Sequence, residues 1–336
     1  MNNPAPAPTR RAPLATPGPA NTHPCPGEAL ADAFPHGRQL AIAPGSRVWV
    51  GRGGADQASP PHPVAPTSPG RGWQASLDLG LGPWQGRTAL MHRRQRGPLA
   101  VQRPFYPEGE VCHLYLLHPP GGVVGGDGLE IRVQLEPGAR ALITTPGATK
   151  FYRSQGERAS QDCQLRLGDQ AALEWLPQEN IHFSGVQARL KTRVDLTPTS
   201  RFLGWECQCL GRPALAEGFD RGDLDCQLQV WRDQQPLLLE RLRLSPRSRL
   251  GAAGLRGRPV TATLIATPAG QTELDRVRAL LGEGDQAGVT LLEQLLVVRY
   301  LGDSTEACRH LFTRLWTALR PTVLGLAPCP PRIWAT

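Results

Sequence analysis

The chain has little lysine, few aromatic residues and no long apolar run. Of its 37 basic residues only Lys150 and Lys191 are lysines, so the formal charge of +8 over 336 residues rests on scattered arginines. Aromatics make up 6%, and no basic run interleaves with stacking side chains. That argues against nucleic-acid binding and leaves acidic protein surfaces as the partners the charge fits. The longest apolar stretches, such as 291–298, are broken by Glu293 and Gln294. They fall well short of the ~20 residues that span a bilayer. The eight cysteines contain no C-x-x-C pair, and no apolar signal segment follows Met1. A secreted disulfide scaffold is thereby disfavoured, and a reduced cytoplasmic protein is expected.

Glycine and proline are plentiful instead, at 37 and 34 residues, which excludes an all-helical bundle. Fifteen of the prolines fall in residues 1–70, among alanine, serine and threonine with no hydrophobic period. Such a segment cannot bury enough apolar surface to offset its ordering entropy. The expected organisation is a disordered Pro-rich tail over 1–70, with one short strand-like stretch at 46–51, and a folded domain over 71–336. His23, His36 and His62 read as solvated tail residues rather than ligands.

From Trp73 onward the apolar period is two. Leu129, Ile131, Val133 and Leu135 alternate with Glu130, Arg132 and Gln134, and 186–196 and 224–230 repeat the pattern. These are half-buried strands. Leu135, Leu165 and Leu196 each open a strand–turn–strand unit with Pro or Gly at the turn. A recurrence near 30 residues suggests stacked coils of a two-layered β-helix or solenoid, and the alternative is three hairpins of a sandwich. The period then changes. Residues 272–281 and 305–320 carry apolar side chains at helical steps, the second with Asp303 and Glu306 as a capping pair and Pro321 as its stop. Its stripe of Cys308, Leu311, Phe312, Leu315, Trp316 and Leu319 fits a core face, and also a docking face.

Five glycines crowd the segment 118–128, but no Gly-Lys-Ser/Thr or third glycine follows, so neither a P-loop nor a dinucleotide fingerprint is present. Asp127 in it could point into a passage or anchor the loop through backbone N–H groups. Cys112, His113 and His118 lack structural-zinc spacing, and Cys207 with Cys209 reads as buried thiols on one strand face. Glu174, between apolar neighbours, could be a general acid or a carboxylate on a wet strand face. Asp220, Asp223 and Asp225 read as a loop rather than a cation site.

Six segments in order carry a resemblance: 118–127 (HPPGGVVGGD), 144–154 (TTPGATKFYRS), 176–183 (LPQENIHF), Gly211-Arg212 with Glu217 and Gly222, Glu240-Arg241, and the ending 331–336 (PRIWAT). They resemble the UreD (UreH) family of urease accessory proteins from about Trp73 to the last residue. The resemblance implies a mainly β, two-layered β-helix with a few helices toward the C-terminus. It also implies a non-enzymatic nickel-insertion chaperone that docks on apo-urease, binds UreF and, through it, the GTPase UreG. No cofactor would be tightly bound; Ni²⁺ would be in transit through an internal passage, with no nucleic acid or membrane involved. Asp127 and Glu174, with His118 and His182, are the expected passage residues. Lys150, Tyr152 and Arg153 are expected at a partner surface or passage mouth, and Leu311, Phe312 and Trp316 at a docking helix. The competing reading is a β-helical carbohydrate-active hydrolase using Glu174 with Asp127 as a carboxylate pair.

Overall fold

Strands with one apolar face need a second layer to cover it, and two sheets provide it here. The computed structural model describes residues 72–282, 284 and 286–335, so the expected tail and its 46–51 strand lie outside the described residues. One sheet has seven strands in the order β14-β13-β11-β8-β5-β1-β2. These are Gln235–Leu244, Gly222–Arg232, Val186–Leu196, Ala159–Leu167, Gly128–Leu135, Gln74–Trp84 and Arg87–Arg96. The other has ten, with the path β16-β17-β15-β12-β9-β6-β4-β3 and with β7 and β10 set beside it. In that path they are Ala287–Leu292, Leu295–Gly302, Val260–Thr267, Arg201–Leu210, Ala172–Leu176, Arg140–Thr144, Cys112–Leu117 and Ala100–Val101, while β7 is Thr149–Phe151 and β10 is Asn180–His182.

The recurrence is the solenoid. Each copy crosses from one sheet to the other, β5 to β6, β8 to β9 and β11 to β12, and successive copies lie parallel. The rungs align slightly differently from the leucine spacing: Val133 sits beside Leu165, and Leu165 beside Val194. Turn lengths vary by a residue or two, but the inner apolar face is kept, because a shift of two preserves the side a strand residue faces. Antiparallel strands close both ends, β1 on β2 and β13 on β14 in one sheet, and β12-β15-β17-β16 in the other.

Two apolar clusters result. One fills the space between the sheets, with Leu77, Leu79, Ile131, Leu165, Trp175, Val194 and Leu228. The second lies on the outer face of the ten-stranded sheet beneath helices α1 (Gln271–Leu280) and α2 (Thr305–Leu324). Helix α2 starts where expected, but its cap is Ser304, whose hydroxyl accepts the Ala307 N–H at 3.1 Å; Asp303 pairs instead with Arg258. The helix runs past Pro321 to Leu324. The proline removes one ladder bond, while burial of Val323 and Leu324 and a 2.7 Å bond from Arg201 to the Val323 carbonyl hold the last turn. Gly325, at φ 70°, supplies the left-handed residue that ends it. Among the described residues no helix is long and apolar enough to cross a membrane.

Candidate functional site

The glycine-rich loop joins β4 to β5 and lies against the segment around β7. Val123 N–H donates to the Lys150 carbonyl at 2.7 Å, and Tyr152 N–H returns a bond to Val123 O at 2.8 Å. Glycine is needed at 122 because a Cβ there would stand 2.6 Å from the Lys150 carbonyl oxygen. Asp127 is the clasp. Its buried carboxylate accepts N–H bonds from Trp73 at 2.7 Å and Val124 at 2.9 Å, so it anchors the loop. Tyr152 donates its hydroxyl to Gly121 O at 3.0 Å and packs on Phe183, while Lys150 and Arg153 stand exposed beside it. The fold thus brings together two segments that are distant in sequence.

Between these loops opens a cavity of about 250 Å³ that runs inward between the sheets. His118, Lys150, Thr145 and Asn180 line it near the loops, and Gln161, Trp175 and Glu206 line its inner part. Burial lowers the His118 pKa, partly offset by Asp127. Beyond Glu206 lies a smaller cavity of about 50 Å³, lined by Gln208, Cys226, Glu240, Thr261 and Thr263. Glu206 is a wall of both. At the rim of the second cavity Glu240 pairs with Arg299 at 2.9 Å.

Glu206 is the site residue that pattern reasoning passes over. On β12, Phe202 and Leu210 face the interior, and strict alternation turns Gly204, Glu206 and Gln208 the same way. A glutamate and a glutamine on the inner face of an otherwise apolar rung were the available signal. The Thr192 hydroxyl donates to the Glu206 carboxylate. Burial pushes the Glu206 carboxyl up to about 7, with Thr192 lowering it and Glu240 adding to the rise. His182, on β10 in register with Phe151 and Leu210, is stacked on the Phe151 ring and bonded through Nε2 to the cavity-lining Gln208 at 2.8 Å. Burial lowers its pKa to about 4, so the ring is neutral at pH 7, and its buried Nδ1 has no partner among the described residues.

Glu174 stands elsewhere. It aligns with Leu142 and Leu203 on the outer face of the ten-stranded sheet, beneath α2. The wet-face expectation fails because the helix covers this central strand, so all of β9 is buried on both sides. The Glu174 carboxylate accepts from Trp316 Nε1 at 2.6 Å and from Arg320 Nε at 3.0 Å and its terminal nitrogen at 2.9 Å. Arg320 also binds Glu108 at 2.6 and 2.7 Å, and Glu108 meets His113 Nε2 at 2.6 Å. Burial raises the Glu174 carboxyl, with Arg320 and Trp316 pulling it back. At Glu108 the bonds from His113 and Arg320 outweigh burial and hold its carboxyl low. This network ties α2 to the sheet. It does not face the cavity, and Asp127 sits in the loop that leads into β5 of the other sheet, so the carboxylate pair required by a glycosidase does not form.

Leu311, Phe312 and Trp316 are likewise buried within the chain, because the stripe of α2 covers the outer cluster. The core reading of the stripe is the one the fold realises; a partner can reach only the outer face of α2, where Glu306, Arg309 and His310 are exposed. Asp225 is held bidentately by Arg241 and Asp223 by Arg158, which leaves no cation cluster with Asp220. Cys207 and Cys209 are buried thiols on one face of β12. Among the described residues no three His, Cys, Asp or Glu side chains converge on a metal site. The polar groups are strung along the interior instead.

Comparison with known proteins decides the family. The profile described as UreD urease accessory protein matches residues 74–335. The chain belongs to the UreD family. A urease accessory protein UreD of Pseudomonas putida (strain W619) is 51% identical over 266 residues, covering 79% of this chain and 95% of that protein. The UreD of Klebsiella aerogenes is 49% identical over 267 residues, covering 79% of this chain and 98% of that protein. UreD proteins are urease maturation factors rather than enzymes, and the chain has a role in urease maturation on that ground.

Proposed function

We propose that this UreD-family chain conducts Ni²⁺ between its two sheets toward apo-urease, in a cytoplasmic complex in which UreF binds the chain and brings the GTPase UreG. The observation that carries the reading is Glu206, a half-buried carboxylate forming a shared wall of two successive cavities. Ni²⁺ accepts carboxylate, imidazole, amide oxygen and water ligands. Asn180, Gln161 and Glu206 offer such atoms singly along the larger cavity, and Gln208 and Glu240 along the smaller. Single ligands hold an ion weakly enough for it to move on, whereas a four-ligand cage would retain it.

Asp127 and His118 belong to the mouth in this account, the first as loop anchor and the second as a neutral imidazole beside the entry. His182 acts through its bond to the cavity-lining Gln208. Glu174 supports the passage indirectly, by fixing α2 to the sheet. Lys150, Tyr152 and Arg153 supply the partner-facing surface around the mouth, and the outer face of α2 a second one. A Ni²⁺ ion needs Glu206 deprotonated, so with a carboxyl near 7 delivery should rise with pH across neutrality.

The test is the nickel content of urease matured with Glu206→Gln. Lowered nickel in urease, with the accessory complex still assembled, supports the passage. Full nickel content removes Glu206 from it.

A further inference from the structure

The seven-stranded sheet ends in β2, and that edge carries charge without partners. Within Arg87–Arg96 there are four arginines and no acid. Arg93, Arg94 and Arg96 are exposed and have no ion pair or side-chain hydrogen bond among the described residues, whereas Arg87 stacks over Tyr106. The opposite edge differs: on β14, Arg241 is held by Asp225, and Glu240 by Arg299. The first half of β2 is covered, since Thr88 N–H donates to the Glu110 carbonyl at 2.9 Å. After the bulge at Met91, residues 91–96 pair with β1 alone among the described residues, so their other edge is open.

The register places the charges. His92, Arg94 and Arg96 stand beside Gly80, Asp78 and Ser76 on one face, and Arg93 and Gln95 beside Leu79 and Leu77 on the other. A strand added to this edge would therefore meet arginine on both faces. Met91 is about half exposed, at 49%, and offers apolar contact beside the charges.

We propose that the 91–96 edge of β2 docks an extended, acidic segment of a partner protein, which adds to the seven-stranded sheet as a further strand. Backbone bonds along the open edge would supply the pairing, and carboxylates at alternate positions would select the partner through the unpaired arginines. The inference is independent of the nickel passage, which lies between the sheets. Charge on an edge strand also discourages self-pairing, and the experiment separates that role from docking.

The probe is a fluorescent twelve-residue peptide alternating glutamate with valine or threonine, titrated by anisotropy against the full chain at 50 and 500 mM salt. Binding should weaken at high salt. The variant R93T/R94T/R96T, with unchanged circular dichroism and melting, should bind at least about fivefold more weakly, the scale of one or two exposed ion pairs. A peptide N-methylated at alternate residues, unable to pair along a strand edge, should not bind. Three results would overturn the proposal: no binding of the peptide up to 1 mM at low salt, equal binding by the triple variant or the N-methylated peptide, or displacement by a single-stranded oligonucleotide at lower concentration than by unlabelled peptide. A triple variant that self-associates yet binds the peptide normally would also overturn it, and would leave the arginines as edge protection alone.

Discussion

Replacing Glu206 with glutamine should stabilise the protein above neutral pH and leave it unchanged in acid. Glu206 titrates near 7 in the fold against an ordinary value of 4.5, because burial disfavours its charge. Below pH 4.5 the carboxyl is protonated in both folded and unfolded chains and makes no difference. Between 4.5 and 7 the unfolded chain loses a proton that the folded chain keeps, so stability falls by up to about 1.4 kcal/mol per pH unit. Above 7 both are ionised and the deficit is constant, at most about 3 kcal/mol, since water in the adjoining cavities softens it. Glutamine carries no such deficit, and its amide oxygen still accepts the Thr192 hydroxyl. Urea unfolding of both proteins at pH 5, 6, 7 and 8 is the assay. The glutamine variant should exceed wild type by less than about 1 kcal/mol at pH 5 and increasingly to pH 8, with a melting point raised by about 2–4 °C for each kcal/mol. A difference that does not change with pH, or a wild type that gains as pH rises, would refute the burial argument.

Three further outcomes follow from the packing. Arg320→Met leaves Glu174 and Glu108 without their guanidinium and should cost about 3–5 kcal/mol in urea unfolding; a loss below about 1 kcal/mol would mean that the network does not hold α2 in place. Leu311→Asp puts a charge into the cluster beneath α2 and should abolish soluble folded protein, whereas a folded variant with wild-type melting would show the stripe is not core. Gly122→Ala forces a Cβ against the Lys150 carbonyl and should cost about 1–3 kcal/mol in thermal unfolding. Gly147→Ala, where a Cβ meets nothing within 4 Å, is the matched control and should be neutral; equal effects would remove the close-approach argument.

The β-helix was legible because its period is local. Alternation along 129–135, 186–196 and 224–230 and the turns at Pro and Gly name the rungs before any long-range contact is known. The rung register was less so, since Leu135 aligns with Leu167 and not with Leu165. The tip of α2 was misread because Pro321 looks like a stop until Val323 and Leu324 are seen to be buried. The site was legible where motifs are dense, at 118–127 and 144–154, which do meet. It was not legible at Glu174, whose partner Arg320 lies 146 residues away; only a helix laid on the sheet makes that strand two-sided. Glu206 was hidden for a related reason. Its inward direction follows from alternation with Phe202 and Leu210, but its importance appears only when the two cavities are seen to share it.

The passage itself is tested most directly by filling it. Thr263 lies directly across from Glu206 on the neighbouring strand and lines the smaller cavity. Urease matured with Thr263→Phe, in a complex of normal composition, should contain little nickel, while the similarly sized Thr263→Val should load urease normally. Full nickel loading by a folded, assembled Thr263→Phe chain would contradict transit between the sheets.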